Sequence, residues 1–258
     1  MQVRTTKVDT SGENNPTALL RLSGLRKTYG QTVALDDVSL TVHAGTVHTI
    51  LGENGSGKST LVKTLSGVLS PDRGVVEING HPLGKSTPQA ARRAGIATVF
   101  QEVLVAPNRS VTENALLGQD SLLRWKIRGN ERRQLVLETL AELSRATFNP
   151  NEEVGNLSLV EQHQIAIARA LLLHPAVLVL DESTAALDIE DRDLLFAAVR
   201  RRVAEGMAVV FVSHRMDEVL SLSDEVTVLR SGKRIETLEK QELTERRLLA
   251  LLNPEAAV

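Results

Sequence analysis

Gly52-Glu53-Asn54-Gly55-Ser56-Gly57-Lys58-Ser59 follows the apolar run Val47-His48-Thr49-Ile50-Leu51 and precedes the helically spaced Thr60-Leu61-Val62-Lys63-Thr64-Leu65. This is G-x-x-x-x-G-K-[ST] set between a strand and a helix, the context in which that pattern cradles a polyphosphate. A triphosphate is densely charged and needs many donors converging in a small space. Glycines let the backbone curl with its N–H groups inward, and a helix starting near Gly57 adds the positive end of its dipole. Lys58 can reach the terminal phosphates, and the Ser59 hydroxyl can sit on Mg²⁺. The candidate phosphate-binding residues are therefore Gly52, Glu53, Asn54, Gly55, Ser56, Gly57, Lys58, Ser59 and Thr60, with ATP and Mg²⁺ as ligands. A chance glycine-rich turn is the competing explanation, and the flanking strand and helix argue against it.

Further along, the apolar residues 176–180 end in Asp181-Glu182. A buried strand that delivers a carboxylate to the phosphate loop supplies the hard oxygen that Mg²⁺ requires. Asp181 is the candidate metal ligand, directly or through water. Glu182 is the candidate general base for an attacking water. Two merely solvated carboxylates at a strand end are the bland alternative.

The surrounding chain reads as one α/β unit. Alternation over 18–24 and 38–42 predicts antiparallel strands, with turn chemistry at Asp36-Asp37 and Ala44-Gly45. Strands are expected at 75–79, 95–100, 207–212, 224–230 and 233–237, and helices at 157–173, 189–205, 216–221 and 243–252. Between about 110 and 146 the period turns helical, with Leu135, Leu137, Leu140 and Leu143 along one stretch. This predicts a helical subdomain of about 102–165 inserted into a single domain of 17–258. Its charged residues, Arg124, Lys126, Arg128, Glu131, Arg132 and Arg133, read as solvated helix faces. Residues 1–16, rich in Thr, Asn, Ser and Gly, read as a disordered leader without the apolar core of a signal peptide.

Composition narrows the function classes. The 258 residues carry a net charge of −2, so no general nucleic-acid surface is expected. The absence of cysteine excludes disulfides and thiolate metal sites and fits a cytoplasmic setting. No apolar run approaches the roughly 18–20 residues needed to cross a bilayer.

From about Leu19 to Leu252 the sequence resembles the ATPase domains of ABC transporters. Besides the two phosphate motifs, the resemblance rests on Tyr29 in Lys27-Thr28-Tyr29-Gly30, Gln101 in Val99-Phe100-Gln101-Glu102, and Leu157-Ser158 ahead of Ala168-Arg169-Ala170-Leu171. It also rests on Ala186-Leu187-Asp188 and Ser213-His214-Arg215. It implies a P-loop NTPase (RecA-like) core, an antiparallel β subdomain and the inserted helical subdomain. Tyr29 would stack on adenine, and Gln101 would ligate Mg²⁺ and couple the site to a membrane permease. His214 would bond the γ-phosphate and hold the attacking water. Asp188 would join the nucleotide contacts, and Ser158 would reach the γ-phosphate held by a second ATPase domain, either a copy of this chain or a paralogous subunit.

The signature departs from the family's Leu-Ser-Gly-Gly-Gln, reading Leu157-Ser158-Leu159-Val160-Glu161. Glycine at both central positions would permit a glycine-only backbone and closer approach, which β-branched Val160 does not. Asp181-Glu182-Ser183-Thr184-Ala185-Ala186-Leu187-Asp188 and Ser213-His214-Arg215-Met216-Asp217-Glu218-Val219 are similar to the monosaccharide importers of ribose, galactose and xylose type. That subgroup implies sugar import by a subunit lying on the cytoplasmic face of the membrane. Two other classes compete: a soluble ABC protein of DNA repair or translation, whose long coiled coil does not fit between Gln101 and Ser158, and a nucleotide-dependent switch with weak hydrolysis.

Overall fold

The computed structural model describes residues 17–84, 86–119 and 129–253. The expected leader 1–16 and the basic residues Arg124, Lys126 and Arg128 lie outside the described residues.

Strands β1 (Ala18–Tyr29), β2 (Thr32–His43), β4 (Arg73–Ile78) and β5 (His81–Pro82) form an antiparallel sheet in the order β2-β1-β4-β5. A second sheet runs β10-β9-β3-β8-β7-β6, built from β3 (Val47–Leu51), β6 (Ile96–Val99), β7 (Val177–Asp181), β8 (Ala208–Val212), β9 (Glu225–Arg230) and β10 (Lys233–Glu239). Its neighbours from β9 to β6 pair in parallel, and β10 is antiparallel to β9.

Every residue of β3, β7 and β8 is buried, as a parallel sheet covered on both faces demands. The period of two divides the two layers. Val177, Val179, Ala208, Val210 and Val212 pack toward the antiparallel sheet and α1 (Lys58–Leu65). Leu178, Leu180, Val209 and Phe211 face the other way, onto α5 (Leu159–Leu172) and α6 (Ile189–Ala204). Phe196 of α6 meets Phe211 edge-on, with ring centroids 5.9 Å apart. Helices α7 (Met216–Leu222) and α8 (Glu245–Leu252) close a third apolar cluster around Val226, Val228 and Leu238. A short helix, α2 (Pro88–Arg93), precedes β6.

One expectation needs correction. Asp36-Asp37 does not end a strand, because β2 continues through it from Thr32. The β1–β2 register slips near Leu25, Asp37 takes φ 56°, and Asp36 binds Arg26 at 2.7 Å. Turn-forming residues here build a bulge that bends a long ribbon. Within 110–146 the described residues form α3 (Val111–Ala115) and α4 (Gly129–Ala141). Leu140 and Leu143 are buried with α5, and Leu135 and Leu137 pack at the margin of the same core. The stop after α5 is as expected: His174 adopts φ 47° ahead of Pro175.

Candidate functional site

The loop between β3 and α1 sits at the C-terminal edge of the parallel strands, where α/β sheets bind ligands. Two glycines fix its path. At Gly57, φ is 108° and a Cβ would stand 2.5 Å from the Ala34 carbonyl oxygen. At Gly52, a Cβ would collide with the Leu229 carbonyl and the Ser56 side chain. β2 and the end of β9 thus press the loop from both sides, and Gly232 N–H closes it onto the Ser56 carbonyl at 3.0 Å.

Helix α1 starts at Lys58 with no side-chain cap and no acidic residue in its first turn. Its N–H groups point out at the end of the helix, and the dipole there favours an anion. Lys58 is buried; its ammonium donates to the carbonyls of Gly52 (2.7 Å) and Glu53 (2.9 Å), crossing the mouth of the loop. Burial pushes its pKa down, while Glu182 and Asp181 act in the opposite direction. Among the described residues, the buried Ser56 hydroxyl has no hydrogen-bond partner. A cation, an uncapped helix end and an orphan hydroxyl around a glycine cradle fit a polyphosphate.

Asp181 ends β7 and is buried. Burial first, and then the neighbouring Glu182 charge, push its pKa up to about 6, with Lys58 and Lys63 opposing. A carboxylate so poor in counter-charge suits a divalent cation. Mg²⁺ normally takes only one or two protein oxygens beside phosphate and water. Ser59, Asp181 and Gln101 are the residues that would hold it.

Glu182 carries φ 47°, a left-handed conformation uncommon outside glycine, and its N–H is tied to the Val212 carbonyl at 2.9 Å. Such a backbone persists only where the surroundings impose it. The result aims the Glu182 carboxylate at His214, whose Nδ1 lies 3.6 Å from Oε1. Both line one cleft of about 800 Å³ with Gly52, Glu53, Asn54, Gly55, Gly57, Lys58, Ser59, Thr60, Gln101 and Tyr29. Tyr29 stands at the rim, half exposed, at the end of β1, with the Lys27 ammonium 5.9 Å from its ring.

Two candidate residues lie away from this cleft. Ser158 caps α5, accepting from the Glu161 N–H at 3.3 Å, while the Glu161 carboxylate takes the Ser158 hydroxyl (2.7 Å) and N–H (2.8 Å). Asp188 caps α6 and pairs with Arg145 at 3.2 Å. The glycine-only backbone considered for the signature is also absent: Leu159 and Val160 are the first residues of a regular helix, and neither has positive φ. Leu159 is 63% exposed, while Val160 packs against the core.

Sequence reasoning missed several residues of the site. Thr32, Val33 and Ala34 of β2 line the cleft, and continuing the strand expected at 38–42 back toward Gly30 would have found them. Buried His163 of α5 hydrogen-bonds the backbone of Ser183, and burial lowers its pKa. Buried Glu218 carried no recognisable signal beyond its place after Ser213-His214.

The model of the ABC transporter family matches residues 35–185. A ribose import ATP-binding protein of Burkholderia pseudomallei is 44% identical over 92% of this chain and 47% of its own length. One from Escherichia coli O157:H7 is 39% identical over 92% and 47%. The chain thus spans about half the length of these curated relatives. A dimeric ATP-binding cassette in a post-hydrolysis state with ADP and Pi superposes at TM-score 0.77 with 27% identity, covering 86% of this chain and 99% of that one. A nucleotide-free cassette from an ABC transporter gives 0.75 with 27% identity, covering 91% and 98%.

Proposed function

We propose that this chain, which belongs to the ABC transporter family, hydrolyses ATP with Mg²⁺ to drive sugar import through a membrane permease. The observation that carries the reading is the meeting of Glu182 and His214 at 3.6 Å in the cleft that also holds Lys58. Lys58 and the α1 N–H groups bind the terminal phosphates. Glu182 takes a proton from the attacking water, and His214 hydrogen-bonds the γ-phosphate and the water, yielding ADP and phosphate. Ser59, Asp181 and Gln101 would hold Mg²⁺, which would neutralise phosphate charge. Tyr29 offers its ring to adenine. Single-turnover hydrolysis by wild type and Glu182→Gln tests this: nucleotide binding should survive in the variant and cleavage should slow by about 10²–10⁴-fold. Wild-type cleavage rates in the variant would remove Glu182 from its role.

Residues 17–258 act as one ATPase domain, with 102–165 as its helical insert. The partners follow from surfaces outside the cleft. A groove of about 510 Å³ beside Gln101 is lined by Val68, Ala91, Phe100, Leu104 and Leu117, and the first, fourth and fifth of these are exposed. It is suited to a cytoplasmic helix of the permease, which would hold the subunit at the inner face of the membrane. Among the described residues no helix is long and apolar enough to cross a membrane. Ser158 and Asp188, outside their own chain's cleft, serve the nucleotide of a second ATPase domain, a copy of this chain or a paralogous subunit. Sugar as cargo is supported by the ribose import proteins to which the chain is similar.

A further inference from the structure

Glu218 of α7 is fully buried, and the roles given to Glu182 and His214 make no use of it. One carboxylate oxygen, Oε2, accepts from the Ser213 hydroxyl at 2.6 Å and from the Thr184 hydroxyl at 2.8 Å. The other, Oε1, faces the Arg215 guanidinium at 3.2 Å. Ser213 in turn accepts from the Arg215 N–H at 3.1 Å, closing a small loop whose outermost residue is His214. Thr184 lies two residues beyond Glu182, and both hydroxyl-bearing residues are 2% exposed. A single buried carboxylate therefore holds the segment after the base and both neighbours of the imidazole.

We infer that Glu218 is a positioning residue for hydrolysis, setting the Glu182–His214 separation by bonding Thr184 and Ser213 through one oxygen. The inference rests on the hydrolytic reading of the cleft. Its physical ground is that hydroxyls donating to a buried charged acceptor make short, strong bonds. The strained Glu182 backbone also needs an outside constraint to persist. Glu218 is fully buried and is not among the residues lining the cleft. Its loss should therefore appear in turnover and leave nucleotide binding alone, since small misplacements of reacting groups cost rate steeply.

The test compares kcat and KM for ATP, with ADP affinity by calorimetry, in wild type, Glu218→Gln, Thr184→Val and Glu182→Gln. Thr184→Val keeps the shape of the side chain and guards against a Glu218 variant that does not fold. Glu218→Gln should lower kcat roughly ten- to 10²-fold and Thr184→Val by less, with KM and ADP affinity changed under about twofold. In the Glu182→Gln background neither change should lower the residual rate further, because there is no base left to position. Normal kcat in both variants, alongside a Glu182→Gln variant that has lost turnover, overturns the positioning role and leaves the hydrolytic reading standing. Equal loss of kcat and ADP affinity marks a general structural role and also overturns it. Absence of turnover in wild type overturns the hydrolytic reading and this inference with it.

Discussion

Helices α1 and α5 both begin at residues assigned to a phosphate, yet their first turns are built differently. α1 starts after Gly57, which has no side chain to cap it, and carries no acid in its first turn. α5 starts after Ser158, whose hydroxyl and N–H are both held by Glu161, a carboxylate in the first turn. A helix end attracts anions only while its N–H groups and dipole are uncompensated. The first end is open and backed by a buried lysine. The second is satisfied from within its own chain. In the single chain, then, one helix end is open to an anion, and the other, if it serves a partner's phosphate as proposed, would have to exchange an internal bond for that contact.

The contrast can be broken most severely at the open end. Glu182→Gln should slow hydrolysis by about 10²–10⁴-fold with ATP binding retained, because an amide cannot accept the water's proton; single-turnover rates check this. Lys58→Ala comes next. Removing a buried, hydrogen-bonded cation facing an anion costs about 2–5 kcal/mol, so Mg-ATP affinity should fall by roughly 30- to 5,000-fold in calorimetry. The same variant should leave α5 and its cap unchanged.

Acid pH sharpens the electrostatic half of the comparison. Asp181 has its pKa raised to about 6 in the folded chain, above the ordinary carboxylate value of about 4. Its contribution to stability is thus complete below about pH 4 and is lost as pH rises through about 6. Without nucleotide or Mg²⁺, the melting temperature of wild type should decline over that window relative to Asp181→Asn, which lacks the titrating group. Parallel pH profiles for the two proteins would show that Asp181 is not the strained carboxylate.

The smallest effect is expected at the closed end. Glu161→Gln keeps a side chain that can accept the Ser158 bonds but removes a charge worth about 0.3–1 kcal/mol at a helix N-terminus. ATP-dependent dimerisation should rise by about two- to fivefold, read by sedimentation in the Glu182→Gln background. Replacing Leu159 and Val160 by glycine should do less, since their backbone is already helical and each glycine costs about 1 kcal/mol there.

The same contrast explains what could be read from the sequence. The open end was legible because its function lies in backbone: glycines at fixed spacing, one lysine and one serine between a strand and a helix. Asp181-Glu182 and Ser213-His214 were legible because each ends a fully apolar strand. The bulge at Asp37 was not, since turn-forming residues do not say whether a chain bends or reverses. Nor was the tie through Glu218, because Thr184, Ser213 and Glu218 are ordinary residues until folding brings three segments to one carboxylate. At Ser158 the letters suggested a missing glycine conformation, whereas the structure shows a helix capped by its own glutamate. Spacing alone does not reveal which partner a serine has taken.

The central claim is that ATP is received at the Gly57 end of α1 and not at the Ser158 end of α5 of the same chain. Amide NMR of the dilute, monomeric chain titrated with Mg-ATP tests this residue by residue. Large shifts are expected for Gly55, Gly57, Lys58, Ser59 and Thr60, with Ser158 and Glu161 unmoved, and in Lys58→Ala the loop shifts should need at least about 30-fold more Mg-ATP. Shifts at Ser158 and Glu161 of comparable size, or loop shifts in Lys58→Ala at the wild-type ATP concentration, would contradict it.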